Sequence, residues 1–177
     1  MTTALVEDRI WSGLLGFLGS RDMVSGGRLL DGDMRQRVEA AIWDKLENPL
    51  AAAAGALIAV SVADPTSDET WDPWLRNLAD WFPGIPDGAV ILGWRLLNRA
   101  TSTEALADAR RRLTEGFRRG VPVHSLAVDW LARGLESLPG EDGELVAMQR
   151  TARRLANRVD STRVYTVVRL PDRKDPR

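Results

Sequence analysis

The sequence predicts an all-α protein, an irregular multi-helix bundle or short helical stack with one strand at its C-terminal end. Three observations carry that reading. Apolar residues recur at three- and four-residue spacing through about seven segments, the mark of helices with one buried face. Pro, Gly, Asn and Asp punctuate those segments at connections of two to ten residues, as in a bundle. Only one stretch, Arg163 to Leu170, is rich in β-branched residues.

The elements follow in chain order. From Thr3 to Leu18, Val6, Ile10, Leu14 and Phe17 keep helical spacing, and Ser25 to Gly32 reads as a loop. Asp33 is placed to cap a helix whose stripe is Met34, Val38, Ala41, Ile42 and Leu46. Asn48-Pro49 ends it, and Pro49 suits the first turn of the next, Leu50 to Val62. That run is apolar but has only 13 residues, whereas a bilayer needs about 20, so a buried core helix is expected. Asp64 to Thr70 is a polar loop. Asp72-Pro73 reads as a cap followed by proline at the first helical position, with Trp71, Trp74, Leu75, Leu78 and Phe82 on one face.

Phe82 to Gly88 is dense in turn residues, and Ala89 to Ala100 is apolar nearly all round, as a central helix would be. These two helices are expected to pack antiparallel. Thr101 and Glu104 have capping-box spacing for a helix that presents Leu106, Ala109, Leu113 and Phe117 and stops near Gly120. Pro122 opens another, with Val123, Leu126, Trp130, Leu131, Leu135 and Leu138 inward. Leu145, Met148, Ala152, Leu155, Ala156 and Val159 define the last. Residues 1–160 are thus the helical domain, and 161–177 a strand followed by a charged tail. The strand has no sheet to join. It is expected either to pair with residues near Ala4 to Ile10 or to add to a partner's sheet. Predicted helix-pair starts are too irregular for a repeat array.

Composition narrows the function classes. Hydrophobic residues make up 44% and charged residues 28%, ordinary for a globular chain. Seven tryptophans offer large apolar bodies to anchor helix packing. With no cysteine there is no disulfide, thiolate metal site or Cys nucleophile. Met1 to Asp8 lacks a basic region leading into an apolar stretch, so no signal peptide is read and a cytoplasmic protein is expected. The net charge of −1 points to neither nucleic acid nor anionic membrane. The halves differ, though: residues 1–98 carry 8 basic and 14 acidic side chains, the remainder 16 and 11. That asymmetry can steer a partner or staple the halves together. All but Lys45 and Lys174 of the 24 basic residues are arginine, which fits a GC-rich bacterial genome.

Catalysis is not expected. The one histidine, His124, has Ser125 beside it, but adjacent helical residues do not face one another, and Asp129 is off its face. Asp64, Asp68, Glu69 and Asp72 lack the spacing and glycine of a calcium loop, so no metal or cofactor is expected. No phosphate loop, dinucleotide fingerprint or nucleophile elbow is present.

The expected role is therefore binding, and the expected partner is a protein. Trp81 falls off the core face beside the proline and glycine loop, with Phe82 and Ile85 close by. It either packs under that loop, the reading favoured on packing grounds, or anchors a partner. Arg150, Arg154 and Arg158 share a helix face with no acidic residue four positions away, and Val164 and Val168 lie on the strand. The alternative is a small nucleic-acid-binding regulator using that arginine face, although no aromatic residues interleave with it.

Lys45-Leu46-Glu47-Asn48-Pro49-Leu50-Ala51-Ala52-Ala53-Ala54-Gly55-Ala56 and Trp74-Leu75-Arg76-Asn77-Leu78-Ala79-Asp80-Trp81-Phe82-Pro83-Gly84-Ile85-Pro86-Asp87-Gly88 also bear a likeness. Together they resemble a helical region toward the C-terminus of bacterial caspase-like (clan CD, C14-type) proteins. The resemblance covers Gln36 to Leu97 best, and its motifs are helix junctions. It implies an accessory module acting beside a caspase-like protease, in bacterial signalling or antiviral defence. Because that protease needs a Cys–His dyad, no catalytic residue carries over.

Overall fold

The computed structural model describes residues 15–16, 18–19, 46–62, 71–140 and 142–169. These form six named helices and no sheet: α1 (Pro49–Val62), α2 (Trp71–Trp81), α3 (Pro86–Arg99), α4 (Thr103–Arg119), α5 (Ser125–Ser137) and α6 (Gly143–Ala156). The all-α class read from the sequence is the observed one. Leu15–Gly16 and Leu18–Gly19 are also helical, and Leu18 is buried. The expected loops at Ser25–Gly32 and Asp64–Thr70, the Asp33 cap and its helix up to Lys45 lie outside the described residues, as does Ala4–Ile10. Leu46, expected on an apolar stripe, is exposed.

α1 is the buried helix expected, with Ala52–Ala54 and Ala56–Ile58 sealed from solvent. Asn48 starts it, its Oδ1 accepting from the Ala51 N–H at 3.0 Å. No helix among the described residues is long and apolar enough to cross a membrane.

α3 is the hub, touching α1, α2, α4 and α5. It begins three residues before the expected Ala89. Pro86 at its first turn loses no hydrogen bond, and Asp87 beside it complements the helix dipole. Gly88 belongs to the helix as well. A Cβ there would come within 2.9 Å of the Leu78 carbonyl oxygen, so glycine lets α3 close onto α2. The connection shrinks to Phe82–Ile85, closed by the Ile85 N–H on the Phe82 carbonyl at 2.9 Å.

α2 and α3 are antiparallel, as expected: the end of α2 meets the start of α3 at Gly88, and the start of α2 meets the end of α3 through Asp72. Asp72 is no cap. It lies in the first turn of α2 and binds Arg95 Nε at 2.6 Å and Arg99 Nη1 at 3.0 Å. On the other side, Gly93 faces Leu113 and Gly116 faces Val90, bringing the α3 and α4 backbones together. Trp94 and Trp130 stack with centroids 5.5 Å apart, and the Arg133 guanidinium lies over Trp94.

Two helix starts differ from expectation. Ser102, rather than Thr101, caps α4, its hydroxyl accepting from the Ala105 N–H at 3.1 Å. Both residues carry the required oxygen, and only the backbone turn separates them. α5 begins at Ser125, not Pro122, because residues up to His124 are extended. The reason is a pairing with the chain's C-terminal segment.

That segment makes two isolated antiparallel bridges, His124 with Tyr165 and Val159 with Val168. Its described pairings are internal, to 123–125 on one side and 158–160 on the other, while the expected pairing with Ala4–Ile10 lies outside the described residues. Its alternation holds: Val164, Thr166 and Val168 are half-buried, while Arg163, Tyr165, Val167 and Arg169 are exposed.

Candidate functional site

The N-terminus of α3 gathers three chain segments around one carboxylate. Asp87, fully buried, accepts the Val123 N–H at 2.7 Å on Oδ2, and the His124 N–H at 3.0 Å on Oδ1. The His124 ring Nδ1 joins Oδ1 at 2.8 Å. A carboxylate is acceptor-only, so Nδ1 carries the proton of that bond. The C-terminal segment then closes over the pair. The Ser125 N–H donates to the Val164 carbonyl at 2.9 Å and the Thr166 N–H to Val123 at 2.8 Å. The Thr166 hydroxyl reaches the Pro122 carbonyl at 2.7 Å. Tyr165 tilts over the imidazole with ring centroids 5.5 Å apart.

His124 is 1% exposed, and its Nε2 meets no hydrogen-bond partner. The Ser125 hydroxyl, the one nucleophile beside it in sequence, gives its proton to the Tyr165 carbonyl at 3.1 Å. Asp129 is turned to Arg133 at 3.6 Å. An Asp–His couple is thus present with no hydroxyl on the far nitrogen, and it joins α3, the α4–α5 connection and the C-terminal segment. Sequence reading missed Asp87 because it lies 37 positions from His124. The one signal was an acidic residue following a proline at a helix start.

The segments joined at this knot also carry exposed hydrophobic residues. Trp81 (54% exposed), Val121 (52%), Tyr165 (44%) and Val167 (48%) are large hydrophobic side chains open to solvent. Hydrogen bonds tie their segments together: Arg119 Nη1 reaches the Ala79 carbonyl at 2.6 Å, Asp87 holds Val123, and Val123 holds Thr166. Trp81 is exposed and not tucked under the short loop. Phe82 and Val164 pack against the core, and Ile85 and Val168 are half-buried. The exposed members of this end are thus Trp81, Val121, Tyr165 and Val167, of which the sequence had singled out Trp81.

Two ion pairs among the described residues join an acid of the first half to an arginine of the second, Asp72 with Arg99 and Asp80 with Arg112. Arg112 holds Asp80 at 2.5 Å, and its hydrogen bonds keep the Asp80 carboxyl below the usual range; Asp80 in turn raises Arg112. Arg111 and Arg76 do the same to Asp108. Thr162, foremost through its hydroxyl, holds Asp160 down to about 2, with Arg169 adding to it. Arg150, Arg154 and Arg158 are exposed on α6 and the turn after it, and the Arg158 carbonyl accepts the Arg169 N–H, two residues beyond Val167. Among the described residues no three His, Cys, Asp or Glu side chains cluster as a metal site requires. A shallow groove lined by Arg76, Leu96, Ser102, Glu104 and Arg111 lies at the α4 N-terminus, but Asp108 on its wall already binds both arginines.

No curated protein and no solved structure matches the chain. One family model does, described as the Y4kD C-terminal domain, over residues 13–168. That span takes in all six helices and the segment that closes over His124, so the chain belongs to the Y4kD C-terminal domain family.

Proposed function

We propose that this domain is a non-catalytic protein-interaction or regulatory module whose docking surface is an apolar rim made of those exposed hydrophobic residues. One observation carries the reading: Trp81, Val121, Tyr165 and Val167 are all exposed, on segments linked in series by the hydrogen bonds of Arg119 to Ala79, Val123 to Asp87 and Thr166 to Val123. Aromatic and aliphatic side chains on a rigid base lose little entropy on docking, and tryptophan and tyrosine are the side chains that dominate interface energetics. Beneath, both Asp87 oxygens and the His124 Nδ1 are committed to one another and to the backbone, and the exposed side chains would bind by burial.

The partner we propose is a caspase-like protease in bacterial cytoplasmic signalling or defence. It rests on the resemblance of the Lys45–Ala56 and Trp74–Gly88 stretches, the second of which contains Trp81 and Asp87. The test is site-specific photo-crosslinking in the host cell, with the crosslinker at Trp81 or Val167 and, as control, at exposed Ala147 on α6. The expected product is a caspase-like protease joined from the two rim positions and not from the control. Equal labelling from all three positions, or a product that is not such a protease, would overturn the surface or the partner respectively.

A further inference from the structure

The arginines of this protein sort into two groups. Eleven of the fifteen among the described residues pair with a carboxylate. The other four are Arg150, Arg154, Arg158 and Arg163, and all four are exposed. Among the described residues no carboxylate pairs with their guanidinium groups, in a chain that has more acids than bases overall. The helix dipole favours cations in the last turn, which accounts for Arg153 and Arg154. It does not account for Arg150 a turn earlier.

Arg150, Arg154 and Arg158 form a row. They recur every four residues, and helical hydrogen bonds continue past Ala156 through the N–H groups of Arg158 and Val159 to Leu155. Successive members therefore rise by about 6 Å along one ridge. The charge is also segregated. Residues 150–177 carry nine basic and three acidic side chains, a net of +6, while residues 1–149 carry 15 and 22, a net of −7. Among the described residues, 150–169 carry six arginines against the one acid Asp160, so a polyanion is drawn to this stretch of the chain.

Two polyanions fit a row of arginines, an acidic protein surface and a nucleic-acid backbone. The face itself discriminates between them. The exposed residues along the ridge are Ala147 and Thr151, and none of the large exposed hydrophobic side chains lies on α6. A protein interface needs a desolvated apolar anchor at its centre. A phosphate backbone needs none, because released counterions supply its affinity. Guanidinium forks match phosphate oxygens two at a time. With a phosphate every ~3.4 Å along each strand, arginines ~6 Å apart would meet roughly every second one.

We infer that the Arg150–Arg154–Arg158 ridge binds the sugar-phosphate backbone of nucleic acid without reading its sequence, an inference independent of the protein-binding reading. The test uses the full chain and fluorescence anisotropy. The probes are an arbitrary duplex of about 20 base pairs, a single strand of similar length, and labelled poly-glutamate, each titrated between about 50 and 200 mM salt. Arg150→Gln/Arg154→Gln/Arg158→Gln is compared with Arg111→Gln/Arg118→Gln/Arg133→Gln, which removes equal charge from exposed but paired arginines.

Wild type should bind an oligonucleotide with an affinity that falls steeply with salt. The ridge variant should bind at least ~10-fold more weakly and with a salt slope flatter by two to three, since each lost phosphate contact removes about 0.7–0.9. The control variant should keep the wild-type slope. Three results would overturn the inference: no oligonucleotide binding at low salt, equal loss in both variants, or binding of poly-glutamate in preference to either oligonucleotide. Circular dichroism of both variants separates a lost surface from a lost fold.

Discussion

Asp87 and His124 are joined twice through a single oxygen. Oδ1 of Asp87 takes the backbone N–H of His124 at 3.0 Å and its ring Nδ1 at 2.8 Å, while Oδ2 takes Val123. The pair fixes where α5 starts, how the α4–α5 connection approaches α3, and what Tyr165 can cover. It is buried, so the bonds that Asp87 accepts act in a low-dielectric interior, where each is stronger than in water.

Asp87→Ala leaves three buried donors without an acceptor. At roughly 1–3 kcal/mol for each buried group left unsatisfied, with partial relaxation, a loss of about 3–5 kcal/mol is expected. Urea denaturation followed by tryptophan fluorescence measures it. A change under about 1 kcal/mol would mean water already serves these groups.

Gly93 and Gly116 set the distance between α3 and α4. A Cβ on Gly93 would lie 3.0 Å from the Leu113 backbone nitrogen, and one on Gly116 would lie 2.7 Å from a Val90 methyl. Gly93→Ala should cost about 1–3 kcal/mol by overpacking, although alanine is the better helix former. Gly116→Ala should cost less, because the nearest backbone atom to its Cβ, the Val90 nitrogen, is 3.3 Å away, and the closer Val90 methyl is a side-chain end that can shift. Stabilisation by either substitution would show that the crossing is looser than the structure has it.

Acid should weaken the fold in a defined window. Asp80, Asp108 and Asp160 all titrate below their ordinary value in the folded chain, Asp160 at about 2. A depressed carboxylate stabilises fully above its unfolded value near pH 4, and that contribution is lost as pH falls through the folded value. Stability should therefore decline between about pH 4 and about pH 2, and modestly, because these pairs are largely solvated. Asp80→Asn should reduce the decline. A chain whose denaturation midpoint falls only above pH 5 would point to other groups.

Much of this fold was legible in the sequence, and the gaps have specific causes. The stripes Trp74–Leu75–Leu78 and Leu126–Trp130–Leu131–Leu135 are buried as periodicity requires, and α1 and α3 are the buried helices their composition implies. Boundaries slipped where one residue type serves two purposes. Gly88 reads as a turn residue, yet it is helical and small because α2 passes against it. Pro122 reads as a helix start, yet the segment after it pairs with residues 40 positions away. Long-range polar pairing leaves no periodic trace, so neither the His124 bond to Asp87 nor the closure by Tyr165 was visible. Trp81 was noticed only because it broke the stripe.

Removing residues 162–177 separates an internal role of the C-terminal segment from an external one. The truncation takes away the carbonyls that hold Ser125, the Thr166 bonds and the Val164 side chain packed on the core. A loss on the order of 2 kcal/mol or more is expected, together with solvent access to His124 that histidine-selective labelling would read. Unchanged stability with unlabelled His124 would mean the segment is a mere tail.

The central claim is that the rim binds and does not support the fold, and one comparison measures both at once. Val121→Glu/Val167→Glu places charge at two exposed rim positions whose side chains the core does not use. Against the protein captured by crosslinking from Trp81, titration calorimetry should show affinity reduced by at least ~30-fold, a loss of ~2 kcal/mol in keeping with interface hot spots. The denaturation midpoint should stay where it is in wild type. Wild-type affinity in a folded variant would contradict the account.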